Sequence, residues 1–259
     1  MKSIQGHAGR KALRDYAAKR VLLAFDFDGT LAPIVRDPDQ AAMRPSTADL
    51  LIKVATRYPC VVISGRARAD VMKKVTSIPL RAVMGNHGME PSRELRAARR
   101  LAAGWHRQLA STLPPVPGLI LEDKSVSLAI HYRRTRLPAE IRRLVLAAVA
   151  CLDGTRVVEG KMVVNVLPAN APNKGTAVLR LRQRLRCESA IYVGDDDNDE
   201  DAFALAREGH LLGIRVGRSP RSQAQYYLAS QNAMDVLLGR LLEFRAARFL
   251  TARRTLHTG

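Results

Sequence analysis

Short apolar runs alternate with segments whose apolar residues recur every three or four positions. Val21-Leu22-Leu23-Ala24-Phe25, Cys60-Val61-Val62-Ile63 and Ala190 to Val193 are short and continuously apolar, and Leu80 to Met84 and Gly213 to Val216 read as further short strands. Such runs suit strands buried on both faces. Pro45 to Tyr58 sets Leu50, Leu51, Val54 and Ala55 at helical spacing. Ala67 to Val75, Lys174 to Leu185, Asp199 to Arg207 and Asn232 to Leu250 read as further helices. Strands alternating with helices predict an α/β fold with a doubly wound parallel sheet.

The middle of the chain breaks this rhythm. Ser92 to Leu113 reads as a long Arg-rich helix ending near Pro114-Pro115. Ser125 to Tyr132 then alternates through Val126, Leu128 and Ile130, the period of a strand with one exposed face. A helix over Pro138 to Leu152 and strands over Arg156 to Glu159 and Met162 to Val166 follow. These elements predict a small, largely antiparallel sheet covered by helices. The expected organisation is a core of residues 1–91 and 171–259 with an inserted domain over 92–170. Hinges are expected near 90–93 and 168–172.

Composition alters this picture little. The chain has 259 residues, 47% of them hydrophobic, as expected of a globular protein. Its net charge of +18 first suggests a nucleic-acid or polyanion binder. The excess is diffuse, however: +7 over residues 92–170 and +11 over the rest. There is no helix-turn-helix, RRM or KH signature, and Trp105 lacks neighbours of the kind that stack bases. No nucleic-acid partner is expected. A diffuse positive field can instead draw in a small anion. Cys60, Cys151 and Cys187 are scattered, which fits a reducing compartment. No leader-like apolar segment and no run long enough to span a membrane is present, so a cytoplasmic protein without a membrane partner is expected. A monomer or weak oligomer is the expectation for assembly.

The chemistry collects at strand ends. Asp26-Phe27-Asp28-Gly29-Thr30 directly follows the first strand, where ligands bind in open α/β sheets. Two carboxylates two residues apart, at a turn eased by Gly29, can face one site, one attacking and the other moving a proton. Ser64-Gly65-Arg66 follows the second strand and offers a hydroxyl to an anion. Lys174-Gly175 opens a helix, where a cation opposes the macrodipole unless an anion accompanies it. Asp195-Asp196-Asp197-Asn198-Asp199-Glu200-Asp201 follows another strand. Its oxygen-rich character suits Mg²⁺, while part of the run serves as a charged helix start.

Together and in this order, D-x-D-G-T, S-G-R, K-G and G-D-D-x-x-D-E resemble the motifs of the haloacid dehalogenase (HAD) superfamily of phosphatases. An insertion between the Ser and Lys motifs resembles that superfamily's C2-type cap. The resemblance implies a HAD-like core in which Asp26 is the nucleophile and forms an aspartyl-phosphate. Asp28 protonates the leaving oxygen and then activates water. Ser64 and Lys174 bind the phosphoryl oxygens. Mg²⁺ sits on Asp26, the backbone carbonyl of Asp28 and Asp195, with Asp196 and Asp199 further out.

Finer matches narrow the family. Gly85-Asn86-His87-Gly88-Met89-Glu90, Glu122-Asp123-Lys124, Ser127-Leu128-Ala129-Ile130-His131-Tyr132-Arg133 and Glu159-Gly160-Lys161-Met162-Val163-Val164 resemble stretches of the trehalose-6-phosphate phosphatases. By that match Glu122 and Lys124 bind the sugar from the cap, and Arg66, Asn86 and His87 line the core side. The chain departs from the family at Asn198, where a Thr is usual, and at Asn165, where the cap strand usually carries a sugar-binding Glu. Trehalose 6-phosphate is therefore the first expected substrate. Another sugar or glycosyl phosphate is the alternative that Asn165 raises, and a polyanion binder on an idle scaffold is the third reading.

Overall fold

The computed structural model describes residues 1–90 and 95–255. In chain order the elements are β1 (Lys2–Ser3), α1 (His7–Ala17), β2 (Val21–Phe25), α2 (Pro45–Ala55), β3 (Cys60–Ile63), α3 (Arg68–Lys74) and β4 (Ala82–Met84). Then come α4 (Leu95–Thr112), β5 (Ile120–Asp123), β6 (Leu128–His131), α5 (Pro138–Ala150), β7 (Thr155–Gly160) and β8 (Val163–Pro168). The chain closes with α6 (Lys174–Arg184), β9 (Ser189–Gly194), α7 (Glu200–Phe203), β10 (Leu211–Val216), β11 (Tyr226–Leu228) and α8 (Met234–Thr255).

The larger sheet has seven strands in the order β1-β11-β10-β9-β2-β3-β4, and every pairing is parallel. Strand β2 lies between β9 and β3, so its carboxyl end meets both neighbours' loops at the middle of the sheet. Its five residues are all buried because helices cover both faces. Val21, Leu23 and Phe25 point to one side, against Leu13 of α1, Leu51 and Val54 of α2, and Leu237, Leu238 and Leu241 of α8. Leu22 and Ala24 point to the other, against Ala177, Val178 and Leu181 of α6 and Phe203 of α7. Burying each large aliphatic side chain contributes about 1.5–3 kcal/mol. The core therefore holds the strand ends rigidly where the acidic motifs emerge.

The smaller sheet is antiparallel, in the order β5-β6-β8-β7. Trp105 and Leu109 of α4 and Val145 and Val149 of α5 pack on Leu128, Ile130, Val164 and Val166. The strand period of two sends the intervening residues to the opposite face. Register pairs Ile120 with His131, Glu122 with Ala129, Ala129 with Asn165 and His131 with Val163. Ile120, Glu122, His131, Val163 and Asn165 thus share the face that looks onto the larger sheet's motif loops.

Several expected bounds shift. The expected helix over Asp199 to Arg207 is three short pieces: a 3₁₀ turn at Asp197–Asp199, then α7, then a 3₁₀ segment at Ala204–Glu208. Asp196 caps the first turn with its own carboxylate, so the acidic run begins as a turn rather than a helix. Strands β1, β5 and β11 and helix α1 add elements that periodicity did not predict. The Arg-rich helix is seen from Leu95 onward; it buries Ala98, Ala102, Trp105 and Leu109 and exposes Arg96, Arg99 and Arg100 as a solvated face. Residues 91–94, with the expected domain boundary at 91/92 and most of the first hinge, lie outside the described residues, as does His257.

Candidate active site

Asp26 is the first residue past β2, and its N–H continues the sheet by donating to the Val193 carbonyl at 2.9 Å. The chain then folds tightly. The N–H groups of Leu31 and Ala32 both donate to the Phe27 carbonyl at 2.9 Å. Gly29 sits at φ 78°, and a Cβ there would collide with the Asp195 carboxylate. Glycine is needed both for the left-handed turn and for the approach of a second acidic loop.

Lys174, at the start of α6, occupies the floor between these loops. Asn173 caps the helix through a capping box with Thr176, which fixes where the lysine starts. Its side chain is 1% exposed and contacts Asp199 Oδ1 at 2.7 Å and Asp26 Oδ1 at 3.0 Å. Burial alone would push the ammonium down; Asp199 and Asp26 outweigh it and hold Lys174 above its ordinary value. The anion expected beside this helix start is thus supplied first by two carboxylates. Asp26 itself is driven well above the carboxylate range by burial, against Lys174 and with the neighbouring carboxylates adding to the rise.

Asp199 has no free lone pairs to waste. Its Oδ2 accepts the N–H groups of Asp195 and Asp196 at 2.8 and 2.9 Å, and its Oδ1 accepts the Tyr192 hydroxyl at 2.6 Å besides Lys174. It organises the acidic turn and the lysine together. Neither this role nor that of Tyr192 was visible in the motif. Asp26, Asp195 and Asp199 each offer an oxygen within 4.8 Å of the others, all buried. Burial raises the Asp195 carboxyl to about 6, against the pull of Lys161. The buried Asp26 and Asp195 oxygens, whose negative charges repel, fit a hard divalent cation, and Asp199 beside them is committed to its four donors. Asp199 lies beside Asp26 and Asp195, the two carboxylates of the set expected with the Asp28 carbonyl, while the Asp28 side chain turns to Arg66. It accepts a bidentate pair from Arg66, Nε at 2.6 Å and Nη2 at 2.7 Å.

The other expected residues divide. Arg66 lines the cavity, but its guanidinium is held by Asp28 and by Asp70 at 2.7 Å and lies over the Phe27 ring. Ser64 is buried and its Oγ accepts the Arg66 N–H at 3.1 Å; it is not on the cavity wall. Asn86 is also off the wall. It is fully buried, and its Oδ1 accepts the hydroxyl of Ser127 from the cap at 2.7 Å, so it joins the two sheets instead of facing the cavity. His87 is on the wall. Asn86 and His87 both take left-handed φ, 47° and 57°, held by N–H bonds to the Arg66 and Ser64 carbonyls. Strain of about 1–3 kcal/mol per residue is tolerated where the surroundings over-determine the backbone.

The cap closes this floor into a cavity of about 660 Å³. Glu122, Lys124, His131, Lys161 and Asn165 form its roof and sides. Glu122 contacts His131 Nε2 at 2.7 Å, a bond that lowers the Glu122 carboxyl and leaves the imidazole satisfied. Lys124 reaches the Gly65 carbonyl at 3.2 Å, and burial lowers its ammonium. Lys161, half-exposed in the β7–β8 turn, crosses to Asp195 Oδ2 at 2.7 Å. Asn165 donates from Nδ2 to the Val158 carbonyl at 3.1 Å.

Comparison with known proteins agrees with this architecture. A family model for trehalose-phosphatase matches residues 24–232. The protein named "Probable trehalose-phosphate phosphatase 9" of Oryza sativa subsp. japonica is 30% identical over 268 residues, covering 88% of this chain and 71% of its own. The C-terminal domain of Candida albicans trehalose-6-phosphate phosphatase superposes with a TM-score of 0.71 at 22% identity, over 90% of this chain and 96% of that one. A HAD-superfamily phosphatase from Bacteroides thetaiotaomicron superposes with a TM-score of 0.56 at 18% identity, over 88% and 96%. These two likenesses show the HAD-like fold.

Proposed function

The chain belongs to the trehalose-phosphatase family of phosphoric monoester hydrolases, and on that premise we propose that it hydrolyses trehalose 6-phosphate to trehalose and phosphate through an aspartyl-phosphate on Asp26. The observation that carries the reading is the pairing of Asp26 with Lys174 at 3.0 Å on the floor of a cavity roofed by Glu122 and Lys124. A nucleophile and a buried cation meet where a phosphoryl group would lie, and polar cap residues face the place a sugar would fill.

In the first step an Asp26 carboxylate oxygen bonds to phosphorus while the bond to the sugar oxygen breaks. Asp28, once it leaves the Arg66 fork and takes up a proton from solvent as substrate binds, gives that proton to the leaving oxygen. In the second step water attacks the phosphorus of the aspartyl-phosphate, Asp28 takes the water's proton, and phosphate leaves with Asp26 restored. Lys174 offsets the repulsion between carboxylate and phosphate and supports charge on the equatorial oxygens. Asp26, Asp195 and the Asp28 carbonyl would hold Mg²⁺, with Asp199, whose oxygens are taken by Lys174, Tyr192 and two backbone N–H groups, fixing the acidic turn behind them. When bound, that ion supplies Lewis-acid neutralisation of the phosphoryl charge. The closed cap keeps bulk water from the intermediate and opens to release product.

The test is phosphate release from trehalose 6-phosphate with Mg²⁺, for wild type and Asp26→Asn. Turnover by wild type and its loss in the variant support the reading. Full turnover by Asp26→Asn removes the nucleophile assignment.

A further inference from the structure

The β7–β8 hairpin sends one cation from the roof to the floor. Strand β7 ends at Gly160 and β8 begins at Val163, and the two pair across a turn made of Lys161 and Met162. The turn is braced. Met162 takes a left-handed φ of 68°. The Lys161 carbonyl accepts Arg133 Nη2 at 3.1 Å. Glu159, just before the turn, accepts a bidentate pair from Arg142 of α5 at 2.7 and 2.8 Å. A Cβ on Gly160 would lie 3.4 Å from Asp196 Oδ2, so the hairpin tip sits against the acidic turn.

From this tip Lys161 Nζ donates to Asp195 Oδ2 at 2.7 Å, a contact between a side chain 50% exposed and one 6% exposed. Other links between roof and floor end elsewhere. The Ser127 hydroxyl donates to Asn86, Lys124 donates to the Gly65 carbonyl, and Arg156 lies 3.8 Å from Asp201. Those three end outside the group proposed to hold Mg²⁺; Lys161 ends on it. An ammonium and a divalent cation repel each other, and both draw on the same carboxylate oxygen. Half of the lysine side chain already faces solvent, so releasing it uncovers little.

We propose that Lys161 is a positioning residue that ties the seating of the cap to the loading of the metal. The ion and the lysine compete for Asp195, so ion binding frees the hairpin tip from the acidic turn, and the docked tip weakens ion binding. The inference rests on the Mg²⁺ set proposed above and extends it to the cap. The coupling is reciprocal, as linkage requires. A cap that carries no metal ligand thereby responds to the ion: it is latched before loading and free to lift for substrate afterwards.

The experiment measures Mg²⁺ affinity by calorimetry at pH 7.5 in wild type, Lys161→Met, Lys161→Gln, Lys161→Arg and Asp195→Asn. Lys161→Met and Lys161→Gln should each bind about tenfold more tightly than wild type, either one serving if the other does not fold. Lys161→Arg, which keeps the charge, should stay within about threefold of wild type. A second readout is the distance distribution between spin labels on the cap and the core. Cys151 is exposed near the end of α5, Cys60 and Cys187 are buried, and Lys53→Cys supplies an exposed site on α2. Added Mg²⁺ should broaden the wild-type distribution, while Lys161→Met should be broad from the start and indifferent to Mg²⁺. Unchanged or weaker Mg²⁺ binding without the lysine's charge, or a wild-type distribution indifferent to Mg²⁺, would overturn the inference. So would equally tight binding by Lys161→Arg, which would assign the effect to the shape of the turn. Wild-type affinity in Asp195→Asn would remove the metal set itself and the inference with it. Binding lost in Asp195→Asn but unaltered in Lys161→Met would sink the inference alone.

Discussion

The floor and the roof of the cavity are built by opposite rules. On the floor, Lys174 and Asp199 are 1% and 0% exposed, and every oxygen of Asp199 is engaged. Two core layers immobilise the strand ends that carry them. On the roof, Glu122, His131 and Lys161 are between a third and a half exposed, and each rests on one or two contacts. The floor is preorganised for one charge distribution, which is what phosphoryl transfer demands. The roof is more exposed and held by fewer contacts, which on the proposed function suits admitting a sugar. On the proposed function chemistry and selectivity are therefore divided between the two, and substitutions in the two regions should differ in kind as well as in size.

The largest effect belongs to the floor. Asp26→Asn should lower kcat by at least ~10³-fold on every phosphomonoester, measured as phosphate release; a loss confined to sugar phosphates would place Asp26 among the recognition residues instead. Lys174→Met comes next. It leaves Asp26 and Asp199 without their buried counter-ion and should cost about 3–5 kcal/mol of stability, read from urea denaturation, together with a fall in kcat. Unchanged denaturation would mean that the two carboxylates do not depend on the lysine.

A pH experiment probes the same floor more gently. On the proposed function protons and Mg²⁺ compete for the Asp195 carboxylate, which burial raises to about 6. Mg²⁺ affinity measured by calorimetry should accordingly hold above that pH and weaken as pH falls through it. Affinity that is flat from pH 7.5 to 5 would exclude Asp195 as a ligand. The smallest effect belongs to the roof. Glu122→Gln should reduce kcat/KM for trehalose 6-phosphate about tenfold, chiefly through KM, and lower its ratio to p-nitrophenyl phosphate by a similar factor. An effect carried by kcat on both substrates would erase the distinction between the regions.

Legibility follows the same division. The parallel core could be read because each central strand is a continuous apolar run, and the Asp26 loop because its residues are adjacent in sequence. Strand β5 was invisible to periodicity: Ile120 to Asp123 is largely exposed and carries no alternating signal. Strands β1 and β11 are two and three residues long, too short to show a period. The site's cross-links were hidden for another reason. Lys174 to Asp199, Arg66 to Asp28 and Lys161 to Asp195 join residues 25 to 38 positions apart, and only the tertiary arrangement decides those partners. Asn86 shows the converse. Its motif predicts a place on the sugar side of the site, but a cap serine that no local pattern connects to it donates to its side chain, which lies off the cavity wall.

The separation of floor from roof is tested most directly by one paired measurement: kcat/KM for trehalose 6-phosphate and for p-nitrophenyl phosphate, in Asp26→Asn and Glu122→Gln side by side. The predicted result is that Asp26→Asn abolishes both activities, while Glu122→Gln lowers the ratio of the first to the second about tenfold. A Glu122→Gln enzyme with an unaltered ratio, or an Asp26→Asn enzyme that still hydrolyses p-nitrophenyl phosphate at the wild-type rate, would contradict it.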